Sequence, residues 1–285
     1  MDVHAPYNPP AKYRNLYFHE PATGFPSYIN ALVIGINGPW RLLIPPDKKS
    51  IRYIMALYDA QINYWDDCFR EFITELENGG FLENTLLIVI ADHGEEFYEH
   101  KGFGHGYTLY EEQIHIPLYM VFEGVIPANK VCKDMVRTVD IFPTICYFAQ
   151  INCEHLNLFG ENIFAEKRQK EKLVYSETYR GMVPRSIRTD RYKLIYKAWD
   201  QEKEVHTLKP ILAGVVDARK YLEFYDLKKD PQEKNNIYDP NNPLVQELLE
   251  KMYSILEAGR KTGSAKQVEL DKQTIRELRA LGYMD

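Results

Sequence analysis

Apolar residues recur at three- and four-residue steps from Ile51 through Ile54, Tyr58, Ile62, Trp65, Phe69 and Phe72 to Leu76. This spacing predicts an amphipathic helix from Lys48 to about Glu77, ended by Gly79 and Gly80. The pattern then changes. Thr85–Ala91 is an unbroken, largely aliphatic run, as in a central strand covered on both faces, and it stops at Asp92-His93-Gly94-Glu95-Glu96. Four glycines within 94–106 mark a loop. A helical turn is predicted at Thr108–Gln113, a second strand at Pro117–Phe122, and a helix at Thr138–Phe148 with Thr138 as N-cap.

Beyond a polar, charged stretch at 160–172, strands are predicted at Lys172–Glu177, Pro184–Thr189, Tyr192–Tyr196 and Tyr221–Leu227, joined by turns as in an antiparallel sheet. An amphipathic helix from Pro243 to about Ala258 and a short one at Lys272–Leu281 close the chain. Residues 1–46, rich in Pro, Gly, Tyr and Asn, read as irregular. The expected architecture is α/β: a mostly parallel central sheet in residues 1–165, then a smaller antiparallel-sheet subdomain with packing helices in residues 166–285. Ligands of open α/β sheets bind at the carboxyl ends of strands, and Asp92-His93 sits at such an end.

Composition narrows the function. The 285 residues carry 35 basic and 41 acidic side chains, a net charge of −6, so no basic excess points to nucleic acid. No apolar run approaches the roughly 18 residues needed to span a bilayer. Residues 1–10 have neither the positive region nor the apolar core of a signal peptide. Cys68, Cys132, Cys146 and Cys153 form no CxxC pair and fit free thiols as well as disulfides, which leaves the compartment open.

The chemistry concentrates after the first strand. Asp92 and His93 suit a divalent metal, or else a turn aspartate beside a surface histidine. Lys101 and His105 follow in the Gly-rich loop and suit an anionic substrate. Glu95, Glu96 and Glu99 read as solvated loop residues, and Asp66 and Asp67 as solvated or ion-paired on the long helix. Asp226 reads as a turn residue and His4 by itself as an ordinary loop histidine.

Seven segments, in order, carry a resemblance: DVHAPYNPP at 2–10, YDAQINYWDD at 58–67, ADHGEEFYEHKGFGHGYTLYEEQIHIPL at 91–118, VDIFPTI at 139–145, RSIRTDRYKLI at 185–195, FYDLKKDPQEKNNI at 224–237 and IRELRALGYM at 275–284. With these the chain closely resembles the C-terminal half of the sulfatase family, within the alkaline-phosphatase-like superfamily. The resemblance implies that Asp92 and His93 are the second pair of metal ligands. It implies that His4 lines the substrate site near the sulfate and leaving group, that His105 contacts the sulfate, and that Lys101 makes a similar substrate-binding contact. Tyr7 is structural on this reading. The implied cofactor is a divalent metal: calcium, or manganese or zinc because the pair is Asp-His rather than Asp-Asn. The implied substrate is a sulfated small molecule or glycan.

Family chemistry starts from a cysteine or serine in C/S-x-P-x-R that becomes formylglycine. That pattern is absent from the 285 residues; Ser176-Glu-Thr-Tyr-Arg180 lacks the proline. The family's first metal-binding aspartates, at the end of an earlier strand, are not matched either. The expectation is therefore a C-terminal portion whose nucleophile lies in a preceding, complementing N-terminal half, inactive by itself. Two rivals accompany the sulfate-ester reading. One is a phosphonate or phosphate ester hydrolase, or a phosphoglycol transferase, of the same superfamily. The other is a non-catalytic module that binds an anionic ligand or a partner subunit.

Overall fold

Asp47 begins the first long element: its carboxylate accepts the Ser50 N–H at 2.7 Å, capping a helix whose first amides lack partners. This computed structural model describes residues 3–5, 7–19, 47–165, 172–178, 184–197, 218–261 and 273–276. They divide between two compact units, one within 1–37, 42–69 and 250–285, the other within 38–41 and 70–249.

In the first unit a short helix α1 (Ala11–Tyr17) precedes the long helix α2 (Lys48–Asn78). The α1 helix corrects the expectation of an irregular segment over 1–46. Ser50, Ile54, Leu57 and Gln61, with Ala56 and Ala60, are the buried face of α2. The apolar stripe read from the sequence is only partly that face, since Ile62 and Phe72 are exposed. Hydrophobic spacing marks a helix, but the neighbouring surfaces choose which stripe is covered. Tyr13 donates to the Asp67 carboxylate at 2.8 Å and Tyr7 packs edge-on against Tyr58. Asp67 therefore anchors α1, and Tyr7 is a packing residue as expected.

In the second unit α2 ends on Gly80, whose φ of +71° lets Phe81 N–H reach back to the Leu76 carbonyl at 2.9 Å. Strand β1 (Leu87–Ile90) then pairs with β4 (Leu118–Val121) antiparallel, in the register Leu87↔Val121 to Ile90↔Leu118. The apolar run is a strand, as expected, and its described neighbour β4 runs antiparallel to it. Among the described residues the pair forms no parallel sheet, and Ile90, Tyr119 and Val121 are exposed. An apolar run specifies a strand without specifying the direction of its neighbour. Between β1 and β4 lie the two-residue strands β2 (Glu96–Phe97) and β3 (Phe103–Gly104) and the turn helix α3 (Glu111–Ile114).

A 3₁₀ turn at Thr138–Asp140 leads into α4 (Ile141–Phe148). Thr138 is not the cap. Arg137 holds that position, and the Asp140 carboxylate three residues on accepts the Arg137 N–H at 3.0 Å and binds the Arg137 guanidinium and the Lys172 ammonium. A disulfide joins Cys146 in α4 to Cys153 beyond it, while Cys68 and Cys132 are free and exposed.

The sheet of β5 (Val174–Glu177), β6 (Arg185–Arg188), β7 (Tyr192–Tyr196) and β8 (Leu222–Asp226) is antiparallel in chain order, as its alternation predicts. Ile187, Leu194, Ile195, Leu222 and Phe224 make its buried core. Asp226 is more than a turn residue, since it also holds Arg191 at 2.8 Å. Helix α5 (Pro243–Lys261) starts with Asn242 accepting the Leu244 N–H and Pro243 in the first turn. Residues 273–276 are helical, and the rest of the expected last helix lies outside the described residues. Among the described residues no helix is long and apolar enough to cross a membrane.

Candidate active site

The chain leaves β1 at Ile90 and delivers Asp92 and His93 to the start of the loop. Asp92 Oδ1 accepts the His93 N–H at 3.1 Å, which folds the carboxylate back over its neighbour. The His93 ring lies with Nδ1 2.8 Å from the Gly94 carbonyl. A carbonyl only accepts, so Nδ1 carries a proton and Nε2 is the ring nitrogen left for a metal. That Nε2 lies 3.8 Å from Asp92 Oδ2. One carboxylate oxygen and one imidazole nitrogen thus converge as two donors to a common point. The backbone hydrogen bond to the other ring nitrogen is what metal-ligating histidines typically have. The donor chemistry fits a divalent cation.

His105 stacks on His93, with ring centroids 3.7 Å apart and planes inclined by 23°. It is buried, and its Nδ1 is 3.0 Å from the Glu95 carboxylate, itself buried. Lys101 is exposed at the tip of the β2–β3 turn, in a left-handed conformation at φ +70°. His4 belongs to the first unit, where its Nδ1 sits 2.6 Å from the Ala5 carbonyl. Asp92, His93 and His105 are therefore brought together within one unit, with Lys101 on the same loop.

The reading of Glu95 and Glu96 as solvated is overturned. Both are buried, and only Glu99 is exposed. The reason is the poverty of regular pairing in this loop: backbone N–H groups that have no ladder must find other acceptors. Glu96 Oε1 accepts the amides of Gly102 at 2.7 Å and His100 at 3.0 Å, and Oε2 accepts from Gln113 at 3.2 Å and Thr108 at 3.4 Å. Burial raises the pKa of Glu96, and the two backbone hydrogen bonds oppose that only in part.

Glu96, His100 and Glu112 also bring ligand-type atoms within 4.8 Å of one another. Their hydrogen bonds favour an ion pair there. His100 Nδ1 is 2.6 Å from Glu112 and Nε2 is 3.0 Å from the Glu233 carbonyl, so both ring nitrogens donate and the ring is cationic. Burial works against that charge, but Glu112 and the Glu233 carbonyl outweigh it and the pKa is raised. The ring stacks on Tyr110 at 3.5 Å. Sequence reasoning misses two residues that carry this loop, Glu96 and Gln113. Neither differs by type or spacing from a solvated residue.

The sulfatase family model matches residues 1–151, and a model described as the C-terminal part of N-sulphoglucosamine sulphohydrolase matches residues 98–262. The chain is 28% identical to arylsulfatase K of Bos taurus over 221 residues, covering 77% of this chain and 40% of that one. It is 23% identical to the choline-sulfatase of Rhizobium meliloti (strain 1021) over 212 residues, covering 71% and 36%. The chain thus spans about two fifths of the length of these curated relatives. Among solved structures, the phosphonate monoester hydrolase SpPMH from Silicibacter pomeroyi superposes with a TM-score of 0.61 at 16% identity, over 94% of this chain and 56% of that one. BT4656, solved in complex with its substrate D-glucosamine-2-N,6-O-disulfate, gives 0.57 at 23% identity, over 79% and 45%. These likenesses show a shared α/β fold. The family's members include sulfuric ester hydrolases and use a divalent metal. With the family model covering more than half of the chain, and the loop from Asp92 to Gln113 inside that match, the chain belongs to the sulfatase family.

Proposed function

We propose that this chain is the C-terminal part of a metal-dependent sulfate-ester hydrolase acting on a sulfated small molecule or glycan. The observation that carries the reading is the convergence of Asp92 Oδ2 and His93 Nε2 at 3.8 Å, with the His93 tautomer set by the Gly94 carbonyl. A divalent cation held there would supply positive charge to steady the oxygens of the ester as negative charge develops on them. His105, oriented by Glu95, contacts the anionic ester group. Lys101 adds a second cationic contact from the loop tip, and His4, matched through DVHAPY, serves the substrate near its leaving oxygen. The nucleophile comes from a segment outside these 285 residues, since none of their cysteines or serines stands in C/S-x-P-x-R. Turnover then requires that complementing N-terminal half, and the chain by itself is inactive.

A second reading has one observation in its favour. The nitrogen ligand His93 shifts metal preference from calcium toward manganese or zinc, which suits phosphonate or phosphate ester hydrolysis. Titration of the chain with Mn²⁺, Zn²⁺ and Ca²⁺ separates these. Tight binding of one ion, lost in Asp92→Ala and His93→Ala, supports the site. Equal binding by the variants and the parent chain sinks it. With the nucleophile-bearing segment restored, faster turnover of an aryl phosphonate than of an aryl sulfate would replace the first reading by the second.

A further inference from the structure

We propose that Gln113 is the positioning residue that sets the spacing of His93 and His105, an inference that rests on the metal-site reading above. The residue following each histidine is hydrogen-bonded to Gln113. Its backbone carbonyl accepts the Gly94 N–H at 2.8 Å. Its side-chain Oε1 accepts the Gly106 N–H at 3.0 Å. Its Nε2 donates to Thr108 at 2.5 Å and to Glu96 at 3.2 Å, so donors and acceptors are both engaged. The residue is 4% exposed. One residue therefore ties Gly94 and Gly106, the residues that follow His93 and His105, whose rings stack at 3.7 Å.

The close approach is built in. A Cβ on Gly94 would meet the Glu112 carbonyl oxygen at 2.1 Å and Gln113 Cα at 3.3 Å, so only glycine lets the backbone after His93 lie against α3. On the other side the Thr178 hydroxyl donates to the Gly106 carbonyl at 2.5 Å, holding the same residue from the end of β5. His93 thus takes its position from the Gln113 backbone and His105 from the Gln113 side chain. Shortening or depolarising that side chain releases His105 and leaves His93 in place. The spacing between the two rings, rather than the fold, is what Gln113 governs.

The test uses the 285-residue chain with two readouts, the ring resonances of His93 and His105 in long-range ¹H–¹⁵N spectra and Mn²⁺ affinity. Gln113→Ala and Gln113→Met should move both rings' resonances as the stack opens. Because Asp92 and His93 stay in place, Mn²⁺ binding should be retained while the rings move apart. Leu194→Ala, a core truncation in the antiparallel sheet, serves as the control for lost stability and should leave both readouts unchanged. Unmoved ring resonances in the Gln113 variants, or equal movement in Leu194→Ala, would overturn the proposal. If the unmodified chain binds no Mn²⁺, the metal-site reading fails while the ring resonances still decide this one. If the variants do not fold, hydrogen exchange in the unmodified chain decides: a slowly exchanging Gly106 amide supports the bond to Gln113, and exchange at the rate of an open peptide refutes it.

Discussion

The loop from Asp92 to Gln113 and the sheet β5–β8 belong to the same unit and are held by opposite means. The sheet buries Ile187, Leu194, Ile195, Leu222 and Phe224, with paired backbones that satisfy their own polar groups. The loop buries Glu95, Glu96, His105 and Gln113 and has only two residue pairs of regular ladder. Apolar contacts are non-directional and tolerate small shifts. A buried carboxylate that serves four donors tolerates none, because each donor left alone is desolvated without return. A loop that holds two histidine rings in fixed relation is better served by the second device.

Several residues join the two systems, and breaking the most deeply buried of these links should have the largest effect. Lys193 is fully buried on β7, with its ammonium 3.1 Å from Glu111 and 2.8 Å from Glu233. Lys193→Ala leaves the buried Glu233 carboxylate without its ammonium, while Glu111 keeps Arg188, and should destabilise by about 3–5 kcal/mol in urea unfolding. A midpoint close to that of the unmodified chain would show that the link is dispensable. Leu194→Ala, the neighbouring residue, removes apolar volume alone and should cost about 2–4 kcal/mol while leaving amide protection in the loop as it was. Loss of loop protection in that variant would blur the distinction between the two regions.

Glu96→Gln sharpens the contrast from the loop side. The amide keeps one acceptor oxygen but turns a donor toward other donors, for about 1–3 kcal/mol. Exchange should quicken first at the His100 and Gly102 amides. The smallest effect is read from pH. Burial would raise the Asp140 pKa, but Arg137, the Glu161 N–H and Lys172 outweigh it and hold it down to about 2. Its folded value lies below the ordinary aspartate value of 3.8, so its stabilisation is complete above that pH and is lost as pH falls toward 2. The burial-raised Glu96 runs the other way: its ionisation weakens the fold as pH rises from 4.5 through its folded value. Unfolding midpoints of Asp140→Asn should converge on those of the parent chain near pH 2. Those of Glu96→Gln should lose the decline above pH 4.5. Parallel profiles for parent and variants would remove both assignments.

Most elements are legible in the sequence alone. The helix α2, the four strands of the antiparallel sheet and α5 announce themselves through period and punctuation, because each must cover one apolar face. The candidate ligands are legible as residue types at a strand end. Three things are not. The apolar run at Thr85–Ala91 does not say that β1 pairs antiparallel with β4. The cysteine spacing does not say that Cys146 and Cys153 join. The letters Glu95, Glu96 and Gln113 do not distinguish a solvated side chain from a buried clamp.

The sequence by itself determined the long helices, the strands of the antiparallel sheet and which residue types gather after β1, since local periodicity and turn chemistry act over a few residues. Only the tertiary structure decided which polar groups are buried and what they hold. Gln113 reaches Gly94, Gly106 and Glu96 from as many as nineteen residues away in the chain, and a hydrogen bond selects its partner by position in space, for which the order of residues carries no local signature.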